Sequence, residues 1–313
     1  MRALPLVLGL LFLCAADVGA GGRSVADHLE RMASAMRTLS YEGVLVYLHD
    51  SRLETLRIAH RVDGGRVHEV LESLTGPVRT VTRGPDEVRC DLSDAHPISV
   101  RRPGLGGGLF RSAAIDPDSL APHYLIHPLG FARVAGRQTE VLGIIPRDRL
   151  RYGYRFYLDE ETGLPLKTDL MGTEAEPLEQ IMFTSLTLAE DSLPDDAVAP
   201  ANGADGEAQA TPAAQERWQF ESLPAGFELV MRDRASDPGG SGTEHFVLSD
   251  GLASVSVYVE NGVEDGLNGD SRMGAIHAAG VRFGDYQITV VGEVPAETVR
   301  AVLAAISYRG DGS

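Results

Sequence analysis

From Gly43 to Leu92 the chain repeats one pattern: a short run of aliphatic, β-branched or aromatic residues, then turn-forming residues. Gly43–Leu48 is followed by Leu56–Val62, and Asp63-Gly64, a hairpin turn signal, leads into Arg66–Leu74. Thr75-Gly76-Pro77 separates this from Val78–Arg83, and Gly84-Pro85-Asp86 separates that from Glu87–Leu92. Strands about ten residues apart, joined by tight turns, leave little choice but an antiparallel meander.

The same period recurs in RYGYRFYLDEETGLPLKTDL, residues 151–170. Tyr152, Tyr154, Phe156 and Leu158 alternate onto one face, and Arg151, Gly153, Arg155 and Tyr157 onto the other. After the Glu160–Gly163 turn, Leu164, Leu166, Thr168 and Leu170 again share a side, as half-buried strands require. Glu140–Ile145 and Glu179–Leu186 read as further strands.

Helices are scarce. Ser24 is a plausible cap, Asp27 places a carboxylate in the first turn, and Val25, Leu29, Met32 and Met36 recur at helical spacing. From Pro103 to Gly130 the pattern lapses into glycine and proline, with a short helical stretch near Leu120–Leu125. The expected fold class is α+β, mainly antiparallel β: residues 21–190 form one large sheet that curls into an unclosed barrel. One or two helices half fill such a hollow.

Residues 190–216 carry seven acidic side chains, no basic ones, and otherwise mostly Ala, Pro, Gly and Gln. Such a stretch cannot build a core; 191–216 is read as an acidic linker with a reach of roughly 25–30 Å. A smaller α+β domain is expected over 217–310. Ala253, Val255, Val257 and Val259 alternate after the Ser249-Asp250-Gly251 turn, Tyr286–Val291 follows Gly284-Asp285, and Pro295 opens a helix carrying Val299, Val302, Leu303 and Ile306.

The first 20 residues have the form of a secretory signal: Arg2, an apolar run from Leu4 to Leu13, and small residues ending at Ala20. Leu13 before Cys14 argues against lipid attachment, which needs a small side chain there. Removal of the signal leaves Cys90 as the sole cysteine, so no internal disulfide is expected and each core must stabilise itself. With 28 Lys+Arg against 45 Asp+Glu the formal net charge is −17, which argues against general nucleic-acid binding and a polybasic grip on anionic lipid.

Catalytic equipment is hard to find. GDSRMG (269–274) has Met273 where a nucleophile elbow needs glycine, and reads as a solvated turn. His123 and His127 are placed to share a helix face, but no further ligands accompany them, so no metal or other cofactor is expected. PGLGGGLF (103–110) lacks the Gly-Lys-Ser/Thr ending of a phosphate loop. Arg147, Arg149, Arg151 and Arg155 could meet phosphates or carboxylates of a ligand, or form a solvated strand face. Binding is the better expectation than catalysis.

Several segments in order resemble the RseB/MucB family of periplasmic regulators of the envelope-stress sigma factor sigma-E: LSYEGVLVYLHD, LRIAHRVDGGRVHEVLESLTGPVRTVTRGPDEVRC, AGRQTEVLGIIPRDRLRYGYRFYLDEETGLPLKTDL and LEQIMFTSL, then WQFESLPAGF, SDGLASVSVYVE and ITVVGEVPAETVRAVLAAI. The resemblance implies an unclosed barrel similar to LolA/LolB lipoprotein carriers, plus a small second domain. It implies a non-catalytic periplasmic protein that binds the periplasmic part of a membrane-spanning anti-sigma factor (RseA/MucA type) and shields it from regulated proteolysis. Lipopolysaccharide or another lipid is the implied effector, and self-association is compatible with it. On this reading Leu56, Ile58, Tyr152, Tyr154, Phe156 and Leu158 line a concave lipid-binding face, the alternative for each being that it packs on the Val25–Met36 helix, and the partner meets the second domain or the seam between domains. The alternatives are a lipid or lipoprotein carrier using the same hollow, and an exported hydrolase using Ser271 or His123.

Overall fold

The computed structural model describes residues 23–76, 79–83, 87–92, 98–101, 115–174, 176–189, 217–236, 242–263 and 265–309. Residues 1–20, read above as a signal, the glycine-rich 103–110 and residues 191–216, read as a linker, lie outside them, as does the side chain of Cys90.

The chain opens with α1 (Val25–Thr38), set by a capping box in which Asp27 N donates to Ser24 Oγ (3.1 Å) and Ser24 N donates to Asp27 (3.0 Å). A first meander follows: β1 (Tyr41–His49), β2 (Arg52–Asp63), β3 (Arg66–Ser73), β4 (Arg79–Arg83), β5 (Glu87–Leu92) and β6 (Ile98–Arg101). The β2–β3 turn is Gly64-Gly65, both with positive φ (54° and 76°), as a two-residue hairpin demands. After a single turn of helix, α2 (Pro117–Leu120), comes a second meander: β7 (Tyr124–Val134), β8 (Arg137–Pro146), β9 (Gly153–Asp159), β10 (Pro165–Met171) and β11 (Pro177–Leu188).

Antiparallel pairing of β1 with β11 fuses the two meanders into one eleven-stranded sheet of order β6-β5-β4-β3-β2-β1-β11-β10-β9-β8-β7. The sheet curls until β7, four strands from β11 in the ladder, comes within 8 Å (Cα–Cα) of it, yet among the described residues β6 and β7 stay unpaired edges. Leu29, Met32, Met36 and Leu39 of the α1 segment are buried in the concavity with Leu45, Ile58, Leu142, Ile144, Leu166 and Phe183. Arg31 ties α1 to the β9–β10 turn by donating to the carbonyls of Glu160 (3.1 Å) and Glu161 (3.0 Å).

That turn is built around Asp159, which is 2% exposed. Its carboxylate accepts from Arg137 Nε (2.8 Å) and Nη2 (2.9 Å) and from Thr162 N (3.0 Å) and Oγ1 (2.8 Å). Burial pushes this carboxyl up, but the hydrogen bonds from Arg137 and Thr162 outweigh it and hold the group below the usual carboxylate range. A depressed folded-state pKa contributes stability that is present above the unfolded value of about 3.9 and lost as pH falls through the folded value. Asp159→Asn is therefore expected to cost about 2–3 kcal/mol near neutrality and to abolish that part of the acid sensitivity, measured by urea unfolding at pH 7 and pH 3.

The second domain contains β12 (Trp218–Phe220), β13 (Glu228–Ser236), β14 (Gly242–Ser249), β15 (Ser254–Asn261), β16 (Gly269–Met273), β17 (Ile276–Phe283), β18 (Tyr286–Gly292), α3 (Ala296–Ala304) and β19 (Ile306–Tyr308). Six strands form a sheet of order β13-β14-β15-β18-β17-β16, and β12 pairs with β19. Val255, Val257 and Val259 of β15 are buried with Phe246, Val290, Val299, Val302 and Trp218 in a second core.

Two expectations are corrected. The stretch near Leu120–Leu125 is helical only to Leu120, and from Tyr124 it is strand β7, so His123 and His127 share no helix face. A bulge between Pro128 and Gly130 breaks the two-residue period that would have announced β7. GDSRMG is not a turn: Ser271 sits on β16, an exposed edge strand, opposite Ala278.

Candidate functional site

The face singled out in the sequence is real and continuous. Tyr152, Tyr154, Phe156 and Leu158 are 9%, 8%, 3% and 3% exposed, Leu56 and Ile58 are 8% and 0%, and all six belong to one apolar cluster. Tyr154 and Phe156 stack with ring centroids 5.6 Å apart. The expected half-empty hollow is filled otherwise. Leu252, on the β14–β15 connection, and Ala275, on the β16–β17 turn, enter this same cluster from the second domain. A cavity of about 220 Å³ does exist beside β8 and β9, lined by Leu129, Ile144, Ile145, Arg155, Met171 and, of the nominated face, Tyr154.

The seam between the domains centres on Arg151, whose side chain is 0% exposed. It is not part of a solvated strand face, because the second domain lies over it. Its Nη1 meets Asp250 Oδ2 at 2.7 Å, with the Asp250 side chain also 0% exposed. Nη2 donates to the Ala225 carbonyl (2.6 Å) and Nε to Asp148 (3.0 Å), while the guanidinium lies 5.5 Å and 5.3 Å from the ring centres of Tyr124 and Phe227. Tyr124 Oη donates to the same Asp250 oxygen at 2.8 Å, and burial together with that carboxylate drives the phenol pKa upward. The other carboxylate oxygen accepts from the amides of Leu252 (2.9 Å) and Ala253 (2.7 Å), so the charge is fully partnered.

Around this pair the seam is polar. Tyr154 Oη donates to Glu293 (3.2 Å), and Tyr152 Oη lies 3.4 Å from His277 Nδ1. Glu179 of β11 accepts from Tyr47 Oη (2.5 Å) and from the Ala275 amide (3.0 Å), and Thr298 Oγ1 donates to the Leu150 carbonyl. Burial first, then the Glu179 hydrogen bond, drives the Tyr47 phenol upward. Arg147 and Arg149 are exposed, and Arg155 is half-buried and lines the cavity beside β8 and β9. Nothing in the sequence pairs Arg151 with Asp250, 99 residues away; Asp250 reads only as a turn residue.

Among the described residues no group of three or more His, Cys, Asp or Glu is placed to hold a metal, and no helix is long and apolar enough to cross a membrane. The geometry defines a two-domain binding protein: an aromatic-lined half-barrel whose mouth is occupied by its own second domain.

Residues 24–202 match the MucB/RseB N-terminal domain and residues 212–307 the MucB/RseB C-terminal domain, so the chain belongs to the MucB/RseB family. It is 35% identical to the sigma factor AlgU regulatory protein MucB of Pseudomonas aeruginosa over 97% of this chain and 96% of that one. It is 29% identical to the sigma-E factor regulatory protein RseB of Escherichia coli K12, over 98% and 97%. Solved structures superpose with TM-scores of 0.67 for the P. aeruginosa MucA/MucB complex and 0.62 for a crystal structure of MucB. They cover 92% of this chain and 99% of each MucB chain at 31% and 32% identity. These relatives are regulatory binding proteins.

Proposed function

We propose that the protein is a non-catalytic regulator in the periplasm that binds the periplasmic domain of a membrane-spanning anti-sigma factor, shields it from regulated proteolysis, and so restrains a sigma-E-type envelope-stress response. The observation that carries this is the likeness, across both domains and nearly the whole length, to a protein crystallised with the periplasmic part of MucA. Shielding needs no chemistry from this chain. A partner that occludes the scissile segment lowers its cleavable fraction by a factor of 1 + [protein]/Kd.

Lipid release belongs to the same proposal, with Leu56, Ile58, Tyr152, Tyr154, Phe156 and Leu158 as the surface that meets acyl chains. In the closed arrangement that surface is covered, so lipid must displace something before it can bind. A simple carrier would keep its hollow open, and the covered mouth favours the regulator.

The test is the rate at which the site-1-type protease cuts the anti-sigma periplasmic domain, with and without the full chain. The half-life is expected to lengthen in proportion to added protein and to shorten again on titration with lipopolysaccharide. An unchanged cleavage rate at saturating protein removes the proposal.

A further inference from the structure

The concave face is covered by two pieces, α1 and the second domain, and the structure distinguishes them as candidates for movement. The α1 segment sets four large apolar side chains into the hollow: Leu29, Met32, Met36 and Leu39, each 6% exposed or less. It is also tied to β1 through Leu39 and Ser40 alone, which leaves it no length to swing on.

The second domain is held differently. Among the described residues it puts only Leu252 and Ala275 into the first core, and its own core is closed by Trp218, Phe246, Val290 and Val299 with none from the first domain. The rest of the seam is hydrogen bonds from tyrosines, Glu179, Glu293 and Thr298, groups that water satisfies once the surfaces part. Residues 189–217 connect the domains, long enough to let one leave the other. An interface of this polarity has relative motion as its default.

Arg151 and Asp250 differ from the other seam groups. A buried ion pair gains little over well-packed apolar side chains, because desolvating two charges offsets their attraction. What it supplies is geometry: Arg151 fits only when Asp250, the Ala225 carbonyl and the Phe227 ring, all from the second domain, surround it at once. Opened to water, both charges hydrate and nothing is left unpaired.

We propose that the second domain is a removable plug for the half-barrel, that Arg151 with Asp250 and Tyr124 is its catch, and that acyl chains reach the Tyr152–Tyr154 end of the face, which the second domain covers through His277 and Glu293, only when the catch is released. This rests on the reading of that face as lipid-binding and names what regulates it. The binding-competent form is then a minor population, and measured lipid affinity is reduced by its fraction.

A redox tether tests this on the full chain. A Cβ at Gly251 would lie 3.7 Å from Ser119 Oγ across the seam, within reach of a disulfide. With Ser119→Cys and Gly251→Cys in a Cys90→Ser background, the probe is cis-parinaric acid, a fluorescent long-chain fatty acid. Oxidation is expected to weaken probe binding by about tenfold or more, and reduction to restore it, the reduced protein being the control for strain at residue 251. Arg151→Met is expected to bind the probe about tenfold more tightly than the unaltered chain and to show a larger radius of gyration by small-angle scattering. Equal binding by oxidised and reduced tether overturns the proposal, and does so even if Arg151→Met fails to fold. Absence of probe binding in every form also overturns it. Protection of an anti-sigma domain is measured separately, so a chain that protects its partner while showing no redox-gated binding keeps the proposed function and loses only the plug.

Discussion

Asp250→Ala is expected to destabilise the folded chain by up to about 3–5 kcal/mol and to split its urea unfolding into two transitions. The substitution removes the counter-charge of a guanidinium that is 0% exposed, the acceptor of the Tyr124 hydroxyl, and the acceptor of two backbone amides at the β14–β15 turn. Loss of one partner from a buried pair costs far more than the pair contributes while the survivor stays desolvated and unpaired, so about 3–5 kcal/mol is the ceiling reached if the domains remain docked. Here the survivor has an escape that a charge in a single core lacks: the domains can separate and let Arg151 reach water. The first transition is therefore expected to report parting of the domains and the second the unfolding of the sheets. A single transition with an unchanged midpoint would show that the pair does not hold the seam.

Phe183→Ala is expected to have a comparable effect, about 3–5 kcal/mol, without splitting the transition. Phe183 is 1% exposed on β11, edge-on to Tyr41 with centroids 6.0 Å apart, where β1 joins the two meanders. Gly43, on the neighbouring strand, makes room for it: a Cβ there would stand 3.0 Å from the Phe183 ring. The cavity left by alanine would thus open at the fusion point of the eleven-stranded sheet, where backbone on both sides is committed to ladders and cannot collapse inward. Calorimetry distinguishes the two variants: one broad or double endotherm for Asp250→Ala, one sharp endotherm at lower temperature for Phe183→Ala.

The residues that follow a clean period were readable in the sequence. β9 and β15 bury the alternate residues that their patterns nominate, and the α1 stripe lies against the sheet. β10 buries Leu166 and Leu170 but also Pro165 and Asp169, and leaves Thr168 half-buried, because its register shifts between Pro165 and Lys167. Turns were readable where glycine carries them, as at Gly64-Gly65 and Gly163. Asp50 and Ser51 make the same kind of β1–β2 turn with positive φ (45° and 60°) and no glycine, and there the sequence is silent. In the second sheet only β15 and β18 were read: β13 and β16 are exposed edge strands without apolar alternation, and the interior β14 and β17 bury consecutive rather than alternate residues. Of the candidate site, the tyrosine face was legible and its cover was not. An apolar strand face looks the same whether a helix, a lipid or another domain lies on it, and Arg151–Asp250 joins residues with no local relation.

Leu252 and Ala275 complete the core of a sheet whose last strand ends at Leu188. A chain delivered from its amino end therefore assembles that sheet before its final two core residues have arrived. Until they do, Tyr152 and Tyr154 stand open to water and to neighbouring chains. Closing so long a loop adds entropy cost and delay to the last folding step. Until that step the surface later hidden is open to chaperones and detergent-like molecules.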